Sequence, residues 1–165
     1  MIYMKKILCL ILAIAALICV VGCKKNQPAD EKAAYTFVYN GQSFAIDGAA
    51  KSVIDAIGFS APSPVPTCGI GDMDRLYLSE GGGLQVRTYE LDGVEYFYTI
   101  MILSDSVSTK EGIAIGDSQQ KVIDTYGEPT QKDAAAYIYS AKGMTLTFFL
   151  QNETVNKIVY MRAEG

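Results

Sequence analysis

The chain has 165 residues, of which half are hydrophobic and 19% are charged, and it contains no histidine and no tryptophan. This length suits one domain or two small ones. Without histidine the chain cannot build a Ser-His-Asp or Cys-His catalytic site, nor a typical catalytic zinc site. After residue 22 the chain carries 12 basic and 18 acidic side chains, a net charge of −6. This acidic body argues against nucleic acid as a partner, because phosphate binding needs clustered lysine and arginine.

The N-terminus has the pattern of a secretory signal. Lys5 and Lys6 precede an unbroken apolar run over residues 7–21. Its fifteen residues are fewer than the roughly 20 that span a bilayer, so a cleaved signal is favoured over a retained anchor. The tetrad Val20-Val21-Gly22-Cys23 resembles the lipobox of bacterial lipoproteins. An ordinary signal peptide followed by a coincidental cysteine is the alternative.

The lipobox resemblance implies that residues 1–22 are a signal peptide, cleaved between Gly22 and Cys23. Cys23 would then receive a diacylglyceryl group, whose two acyl chains are of the palmitate kind, in thioether linkage. Two acyl chains, at about 0.8 kcal/mol per buried methylene, hold a protein stably on a membrane. We therefore expect the protein on the outer face of the bacterial cytoplasmic membrane, with the membrane as a partner through this anchor.

The cysteines and the following segment fit this expectation. Cys9 and Cys19 would leave with the signal, so Cys68 has no partner for an intramolecular disulfide. With no histidine to activate it, Cys68 is predicted to be a small buried hydrophobe rather than a nucleophile. Residues 24–34 are polar and lack hydrophobic periodicity, which predicts a tether of at most roughly 36 to 40 Å.

The organised part of the chain, residues 35–165, opens with a hairpin pattern. Residues 35–39 and 42–46 are rich in aromatic and β-branched side chains, and Asn40-Gly41 separates them. Asn-Gly suits the positive φ angles of a type I′ turn, so the sequence predicts a β-hairpin here.

An internal repeat follows the hairpin. Residues 45–58 align without gaps on residues 114–127, with six identical pairs among fourteen. These two segments are 69 positions apart in the chain. Residues 76–84 then match residues 138–146, which are 62 positions further on, so the offset is shorter by seven. The extra length of the first copy falls in the Pro-rich residues 61–69, which predicts a loop there, because proline is excluded from helix interiors and central strands.

Each copy is predicted to contain a short helix and three strands. Asp117 with Gln120 is typical of a capping box at the start of the second helix, and Gly48 takes the place of Asp117 in the first. Val53 and Val122 share one helical position and are predicted to face the sheet. The strands are predicted over residues 75–79, 84–91 and 94–103, and over residues 136–141, 144–150 and 154–162. The predicted fold class is α+β: two tandem helix-plus-three-stranded antiparallel sheet repeats, residues 44–103 and 113–162, after an N-terminal hairpin.

Residues 115–129 carry a family resemblance. Gly116-Asp117-Ser118 before the helix, Val122 within it and Tyr126-Gly127-Glu128-Pro129 after it are similar to the opening motif of the repeats in β-lactamase inhibitory protein. The same motif opens the repeats of small outer-membrane lipoproteins of the SmpA/OmlA kind. The second copy shows the full motif, and the first is linked to it through the internal repeat. The resemblance implies a sheet surface that grips another protein, or a role as an assembly accessory.

Tyrosine is the residue type that best suggests a binding surface. Ten of the eleven tyrosines lie after residue 22, several of them on predicted strands. Tyrosine rings are rigid and amphipathic, which favours protein interfaces. The candidate surface is Tyr96, Tyr98, Tyr137 and Tyr139. The alternative is that these rings belong to the core, because strands favour aromatic residues in any case.

Two further patterns favour solvated turns. Residues 71–74 contain an Asp-x-Asp pair, but no other acidic residues cluster near it to complete a cation site. Gly81-Gly82-Gly83 precedes no helix and no Lys-Ser/Thr pair, so it lacks the features of a phosphate loop. We therefore expect no metal and no cofactor.

Taken together, these patterns predict a membrane-anchored extracytoplasmic lipoprotein that acts as a non-catalytic protein-binding or envelope accessory module. The alternatives are a proteinaceous inhibitor of a secreted or cell-wall enzyme and an unrecognised hydrolase. An open sheet face with exposed aromatic side chains favours a binding module. A cleft with converging polar groups and shifted pKa values favours an enzyme.

Overall fold

The structure is a computed structural model that describes residues 35–67 and 73–163. These residues belong to one unit of the chain, residues 32–165. Gly22, Cys23 and Cys68 lie outside the described residues, as does the tether over residues 24–34. The signal cleavage, the lipid attachment and the state of Cys68 therefore stay predictions.

The described residues form ten strands, two α-helices and one turn of 3₁₀ helix. In chain order the elements are β1 (Phe37–Tyr39), β2 (Gln42–Phe44), α1 (Lys51–Ile57), β3 (Ser63–Val65), β4 (Asp74–Leu78), the 3₁₀ turn (Glu80–Gly82), β5 (Leu84–Leu91), β6 (Val94–Ile102), α2 (Gln119–Tyr126), β7 (Gln131–Lys132), β8 (Ala136–Ala141), β9 (Met144–Gln151) and β10 (Thr154–Arg162). Six of these strands lie within one residue of the bounds that the sequence predicts. The predicted turn at Gly81-Gly82-Gly83 overlaps the 3₁₀ segment, which covers Glu80–Gly82.

Eight strands form one antiparallel sheet in the order β3-β4-β5-β6-β10-β9-β8-β7. The predicted fold class, two tandem repeats each with its own three-stranded sheet, is therefore wrong. β6 pairs directly with β10, from Ile102 opposite Ile158 to Thr99 opposite Met161, and this pairing makes a single sheet. Two separate sheets would each leave the backbone donors and acceptors of an edge strand unpaired at this position. The described part is mostly antiparallel sheet, with only two short α-helices.

The local turn signals are confirmed. Strands β1 and β2 pair around Asn40 and Gly41, whose φ angles are +47° and +74°. Strands β5 and β6 are joined by Asp92 and Gly93, with φ angles of +52° and +76°. Positive φ at both central residues is the requirement of a type I′ turn, whose twist matches that of the strands.

The Pro-rich segment differs from its prediction as a loop. Ser63–Val65 forms the short strand β3, which pairs with β4 and lies at the edge of the sheet. Pro64 is accepted there because a proline, which has no N–H to donate, fits an edge strand but not a central one.

The start of each helix also differs from its prediction. Ser118, not Asp117, is the N-cap of α2, and its side chain accepts a hydrogen bond from the Lys121 N–H. The Asp117 carboxylate instead accepts from the Ala114 N–H and the Lys121 Nζ. In α1 the N-cap is Ala50, whose methyl side chain cannot accept a capping hydrogen bond. Because the alignment places Ala49 opposite Ser118, the N-cap of α1 lies one position further along the chain.

The backbone leading into both helices makes the same contacts with the sheet. The Asp47 N–H donates to the Phe97 carbonyl, and the Phe97 N–H donates to the Gly48 carbonyl. At the second helix the equivalent pair joins Gly116 to Val155 and Val155 to Asp117. Both helices are thus fixed to the sheet at positions 69 residues apart in the chain, and this spacing equals the offset of the sequence alignment.

The core lies on one face of the sheet, beneath the helices and the hairpin. Its buried side chains include Phe37, Phe44, Ile54, Val86, Phe97, Ile100, Val122, Tyr139, Leu146, Phe148, Ile158 and Tyr160. The N-terminal hairpin contributes two of these rings: Phe37 lies 5.7 Å from Tyr160 and Phe44 lies 5.1 Å from Phe97, between ring centroids. The hairpin therefore covers the middle of the sheet, where β6 and β10 meet.

A β-bulge in β6 changes which residues face the core. Arg87 lies opposite Thr99, whereas Thr88 lies opposite Phe97, so Tyr98 is the additional residue. Strict alternation would place Tyr96 and Tyr98 on the same face as Ile100. Because the bulge adds one residue, Phe97 and Ile100 both face the core.

The helix packing leads to a first prediction. Val122 is fully buried, whereas its aligned partner Val53 is half-buried and the neighbouring Ile54 takes the buried position. The expected equivalence of Val53 and Val122 is therefore wrong. We expect Val122→Ala to reduce the free energy of unfolding by about 1 to 3 kcal/mol, and Val53→Ala by less than about 1 kcal/mol.

Denaturant melts of the single variants measure this difference. Asp124→Ala is the matched control on α2, because the Asp124 side chain is exposed and accepts a hydrogen bond from the Gln120 side chain. This variant should change the free energy of unfolding by no more than about 0.5 kcal/mol. Equal losses for Val53→Ala and Val122→Ala would contradict the packing described above.

The buried tyrosines lead to a second prediction. Burial raises the pKa of Tyr139 to about 12, and it raises the pKa values of Tyr126 and Tyr160 further. A phenol whose pKa is higher in the folded state stabilises the fold fully below the ordinary value of about 10. This stability is lost as the pH rises through the folded value. The contribution of these tyrosines to the unfolding free energy should therefore be constant up to about pH 10 and fall between about pH 10 and 12.

Denaturant melts across this alkaline range test the expectation. Tyr160→Phe removes one ionisable group, so its stability should fall less steeply, by up to about 1.4 kcal/mol per pH unit. An unchanged slope in this variant would show that Tyr160 does not contribute.

Candidate binding surface

The sheet has a second face, called the outer face below, that points away from the helices and the hairpin. Two rows of cross-strand neighbours define it: Leu76, Arg87, Thr99, Met161, Thr145 and Ser140, and Gln85, Met101, Val159, Thr147 and Ile138. Most of these side chains are half-buried, and the described helices and hairpin all pack on the opposite face.

A shallow groove lies on the outer face, toward the β3 edge of the sheet. Its volume is about 410 Å³, and it is lined by Val65, Leu76, Gln85, Arg87, Tyr98, Thr99, Met101 and Met161. The groove crosses strands β3, β4, β5, β6 and β10. It is therefore formed mainly by apolar side chains, with one guanidinium at its margin.

The four tyrosines predicted to form a binding surface lie on opposite faces of the sheet. Tyr96 is half-buried and Tyr98, only 9% exposed, lines the groove, and both lie on the outer face. Tyr137 and Tyr139 are buried in the core on the other face, and we exclude them as surface residues. The Tyr139 hydroxyl donates to the Gly127 carbonyl, which ties β8 to the end of α2.

Tyr96 and Tyr98 belong to a ring cluster that includes Tyr89. The ring of Tyr89 is stacked on Tyr96 with centroids 5.4 Å apart, and its centroid is 6.3 Å from Tyr98 in an edge contact. The Tyr89 hydroxyl donates to the Asp47 carboxylate at 3.0 Å, and Arg162 contacts both groups. Burial, together with this bond to Asp47, raises the pKa of Tyr89. The cluster therefore keeps its rings in fixed positions.

Arg87 is held in place by an aspartate that was predicted to be solvated. Asp74 is only 1% exposed and lies at the start of β4, so the predicted solvated turn at this residue is wrong. The Arg87 guanidinium bonds the Asp74 carboxylate at 2.7 Å and lies 5.9 Å from the Tyr98 ring centroid. Burying a carboxylate costs free energy unless a cation compensates it, and Arg87 supplies that charge.

Sequence reasoning missed Tyr89, Asp74 and Arg87, although one signal was present for Tyr89. A type I′ turn at Asp92-Gly93 places Tyr89 directly opposite Tyr96. For Asp74 no local signal existed, because its partner Arg87 lies on the neighbouring strand and 13 residues away.

Comparisons with known proteins add little to this description. No family model and no curated protein matches the chain. Among solved structures, it is similar to the crystal structure of the uncharacterized protein yfeY from Escherichia coli. The TM-score is 0.43 and the identity is 13%, over 72% of this chain and 93% of that chain.

The described residues contain neither a metal-binding cluster nor a membrane-spanning helix. No group of three or more aspartate, glutamate, cysteine or histidine side chains lies close enough to hold a metal ion within residues 35–67 and 73–163. In the same ranges, no helix has the length and hydrophobicity needed to cross a bilayer.

The Asp74–Arg87 pair leads to a third prediction. Arg87→Met leaves the buried Asp74 carboxylate without its cation, so we expect a loss of about 3 kcal/mol in unfolding free energy. Asp74→Asn leaves a guanidinium whose side chain is 26% exposed and can be hydrated, so its loss should be smaller, about 1 to 2 kcal/mol.

Denaturant melts of both single variants and of the double variant measure these losses. The double variant should be more stable than Arg87→Met alone, because it removes the unpaired charge. A larger loss of unfolding free energy for Asp74→Asn than for Arg87→Met would show that Arg87 does not compensate the buried Asp74 charge.

Proposed function

We propose that this protein is a lipid-anchored extracytoplasmic lipoprotein that acts as a non-catalytic protein-binding or envelope accessory module. The observation that carries the proposal is the outer face, a broad sheet surface that the described elements leave uncovered. Half-buried leucine, methionine, valine and isoleucine side chains occupy it, and a tyrosine cluster borders it. Contiguous apolar surface of this kind marks interaction sites in soluble domains.

The size of the outer face suits a protein partner. Eight strands at about 4.8 Å spacing give a width of roughly 34 Å, and six residues of strand give a length of roughly 20 Å. The product, roughly 700 Å², is close to the roughly 800 Å² that each partner buries in a standard protein interface. The groove itself is shallow, so it favours a protruding side chain of a partner over an enclosed small molecule.

The charges on the outer face indicate the chemistry of the partner. Lys157 lies on this face, with its ammonium 4.0 Å from the Phe149 ring centroid, and Arg87 borders the groove. The Arg87 charge is compensated by the buried carboxylate of Asp74, and Arg162 beside the tyrosine cluster is paired with Asp47. The excess positive charge of the face therefore lies at Lys157. A complementary partner would present apolar side chains flanked by acidic ones.

Site-specific photo-crosslinking in the native membrane tests this proposal. A photoreactive residue in place of Met101, at the centre of the groove, should give one discrete protein adduct. The same residue in place of Thr125, which is exposed on α2, is the matched control and should give none. A charge reversal at the rim, Lys157→Glu, should reduce the Met101 adduct by about fivefold or more, since it repels an acidic partner.

A second arm tests the anchor separately. Cys23→Ala should abolish acylation and release the protein from the membrane, while leaving adduct formation possible in a reconstituted soluble mixture. Equal crosslinking from Met101 and Thr125 would refute the binding surface. Processing and membrane retention of Cys23→Ala would refute the lipidation.

A further inference from the structure

A second concave site lies on the other face of the sheet, between α1 and the strands β4, β5 and β6. It consists of two adjoining hollows, of about 680 Å³ and about 390 Å³, that share Lys51, Asp55 and Glu95 as lining residues. We call them the α1 cleft. Because Arg75 and Glu95 reach it from the core side, the α1 cleft is separate from the outer face and independent of the function proposed above.

The corresponding place under α2 is filled by aromatic rings. Tyr126 of α2 lies 5.5 Å from Tyr139 and 5.2 Å from Phe148, between ring centroids. Tyr126 aligns with Ile57, and Phe148, two residues beyond the second aligned segment, corresponds to Val86 at the same offset of 62; both residues of the first half are smaller. The α1 cleft is thus open at a position where the same arrangement of helix and sheet is closed in the second half.

Additional chain forms a wall of the cleft. The first half is seven residues longer between its helix and its second aligned segment, and Ala61 and Pro62 from this addition line the smaller hollow. Phe59 lies beside them, with its ring centroid 6.2 Å from that of Tyr77. The residues that distinguish the first half from the second therefore surround this space.

Polar groups line the cleft in a fixed arrangement. The Glu95 carboxylate accepts hydrogen bonds from the Tyr77 hydroxyl at 2.8 Å and from the Thr88 hydroxyl. Arg75 bonds Glu90 at 2.6 Å and lies 3.7 Å from Glu95. Burial, with the bond to Glu95, raises the pKa of Tyr77, so this phenol remains a donor at neutral pH.

Each wall of the cleft thus presents an ion pair whose charged groups can still form hydrogen bonds with a ligand. On the strand wall the side chains of Arg75 and Glu90 are 27% and 39% exposed, so both can take a further partner. On the helix wall Lys51 bonds Asp55 at 2.9 Å and both are well exposed. A guanidinium has five donors, and only part of this set is used by Glu90 and Glu95.

We propose that the α1 cleft binds a small zwitterionic ligand of the amino-acid or short-peptide class. Arg75 receives its carboxylate, and Glu90 receives its ammonium group. A simple anion would meet the three carboxylates of Asp55, Glu90 and Glu95, and a simple cation would meet Lys51 and Arg75. A ligand with both charges matches both signs. The volume is within the usual range for small-molecule sites, and a dipeptide fits it.

Titration with L-alanyl-L-alanine, followed by amide chemical shifts, tests this inference on the full protein in detergent micelles. We expect saturable shifts at Ser52, Gly93 and Val94, with a dissociation constant near or below about 10 mM. The same dipeptide capped by N-acetyl and N-methylamide groups has no charge and should leave these shifts unchanged.

Variants locate the site. Arg75→Gln and Glu90→Gln should each weaken binding by about tenfold or more, because each removes one charged hydrogen-bonding partner. Lys132→Gln is the matched control, since it breaks an exposed ion pair with Glu128 far along the chain, and it should change binding by less than about twofold. Ser52→Trp places a large ring from the exposed helix surface into the cleft without changing the core, and it should abolish the shifts.

Binding of the charged dipeptide alone, weakened by Arg75→Gln and Glu90→Gln, would support the proposal. Absence of saturable shifts at about 20 mM dipeptide would overturn the proposal, as would equal shifts with the capped dipeptide. Undiminished binding by Ser52→Trp would place the ligand elsewhere and overturn it as well. Because the outer-face variant Lys157→Glu should bind the dipeptide normally, failure here is distinguishable from failure of the proposed protein-binding function.

Discussion

Strands β6 and β10 pair directly at the middle of the sheet. Four backbone positions on each strand meet, from Thr99 opposite Met161 to Ile102 opposite Ile158. This pairing joins two four-stranded halves into one sheet and removes two edges that would otherwise be exposed. It also creates both faces at once. The core face becomes broad enough to need two helices and a hairpin to cover it, and the outer face becomes broad enough to bind a protein.

Because β6 pairs with β10 over only part of its length, its first half has a different neighbour. The segment before α1 takes this place, where Asp47 and Gly48 bond the backbone of Phe97. That contact places the Asp47 carboxylate within reach of Tyr89 and Arg162. The tyrosine cluster of the outer face is therefore a consequence of where the central strand pairing stops.

Much of the local structure could be predicted from the sequence, because its signals are local. Alternating apolar residues with Asn-Gly and Asp-Gly turns located the strands, since a type I′ turn and the period of a strand are read over a few residues. The union of the two halves could not be predicted, because Ile102 and Ile158 are 56 residues apart and no local pattern specifies their pairing. The bulge at Tyr98 was equally hidden, since no glycine or proline marks it.

The candidate surface shows the same limit in physical terms. All four tyrosines were predicted to form a binding surface because rigid rings favour interfaces. Tyr137 and Tyr139 nevertheless lie in the core. Which face a ring occupies depends on strand register, and a shift of one residue reverses every side chain of a strand. Asp74 failed as a prediction for a related reason. A carboxylate is expected to be exposed to solvent only when no cation compensates its charge. For Asp74 the compensating cation is Arg87, which lies on the neighbouring strand.

Arg75 and Arg87 explain why the first half of the sheet carries the polar chemistry. They extend from neighbouring strands to opposite faces, and each is held by a carboxylate, Glu90 or Asp74. A free arginine side chain loses about 2 kcal/mol of rotamer entropy when a partner orders it. Here the ion pairs have already ordered both guanidinium groups, so a partner on either face needs to pay little of that cost. The aromatic packing under α2 makes the second half of the sheet rigid. In the first half, the ion pairs hold the guanidinium groups in position before a partner binds.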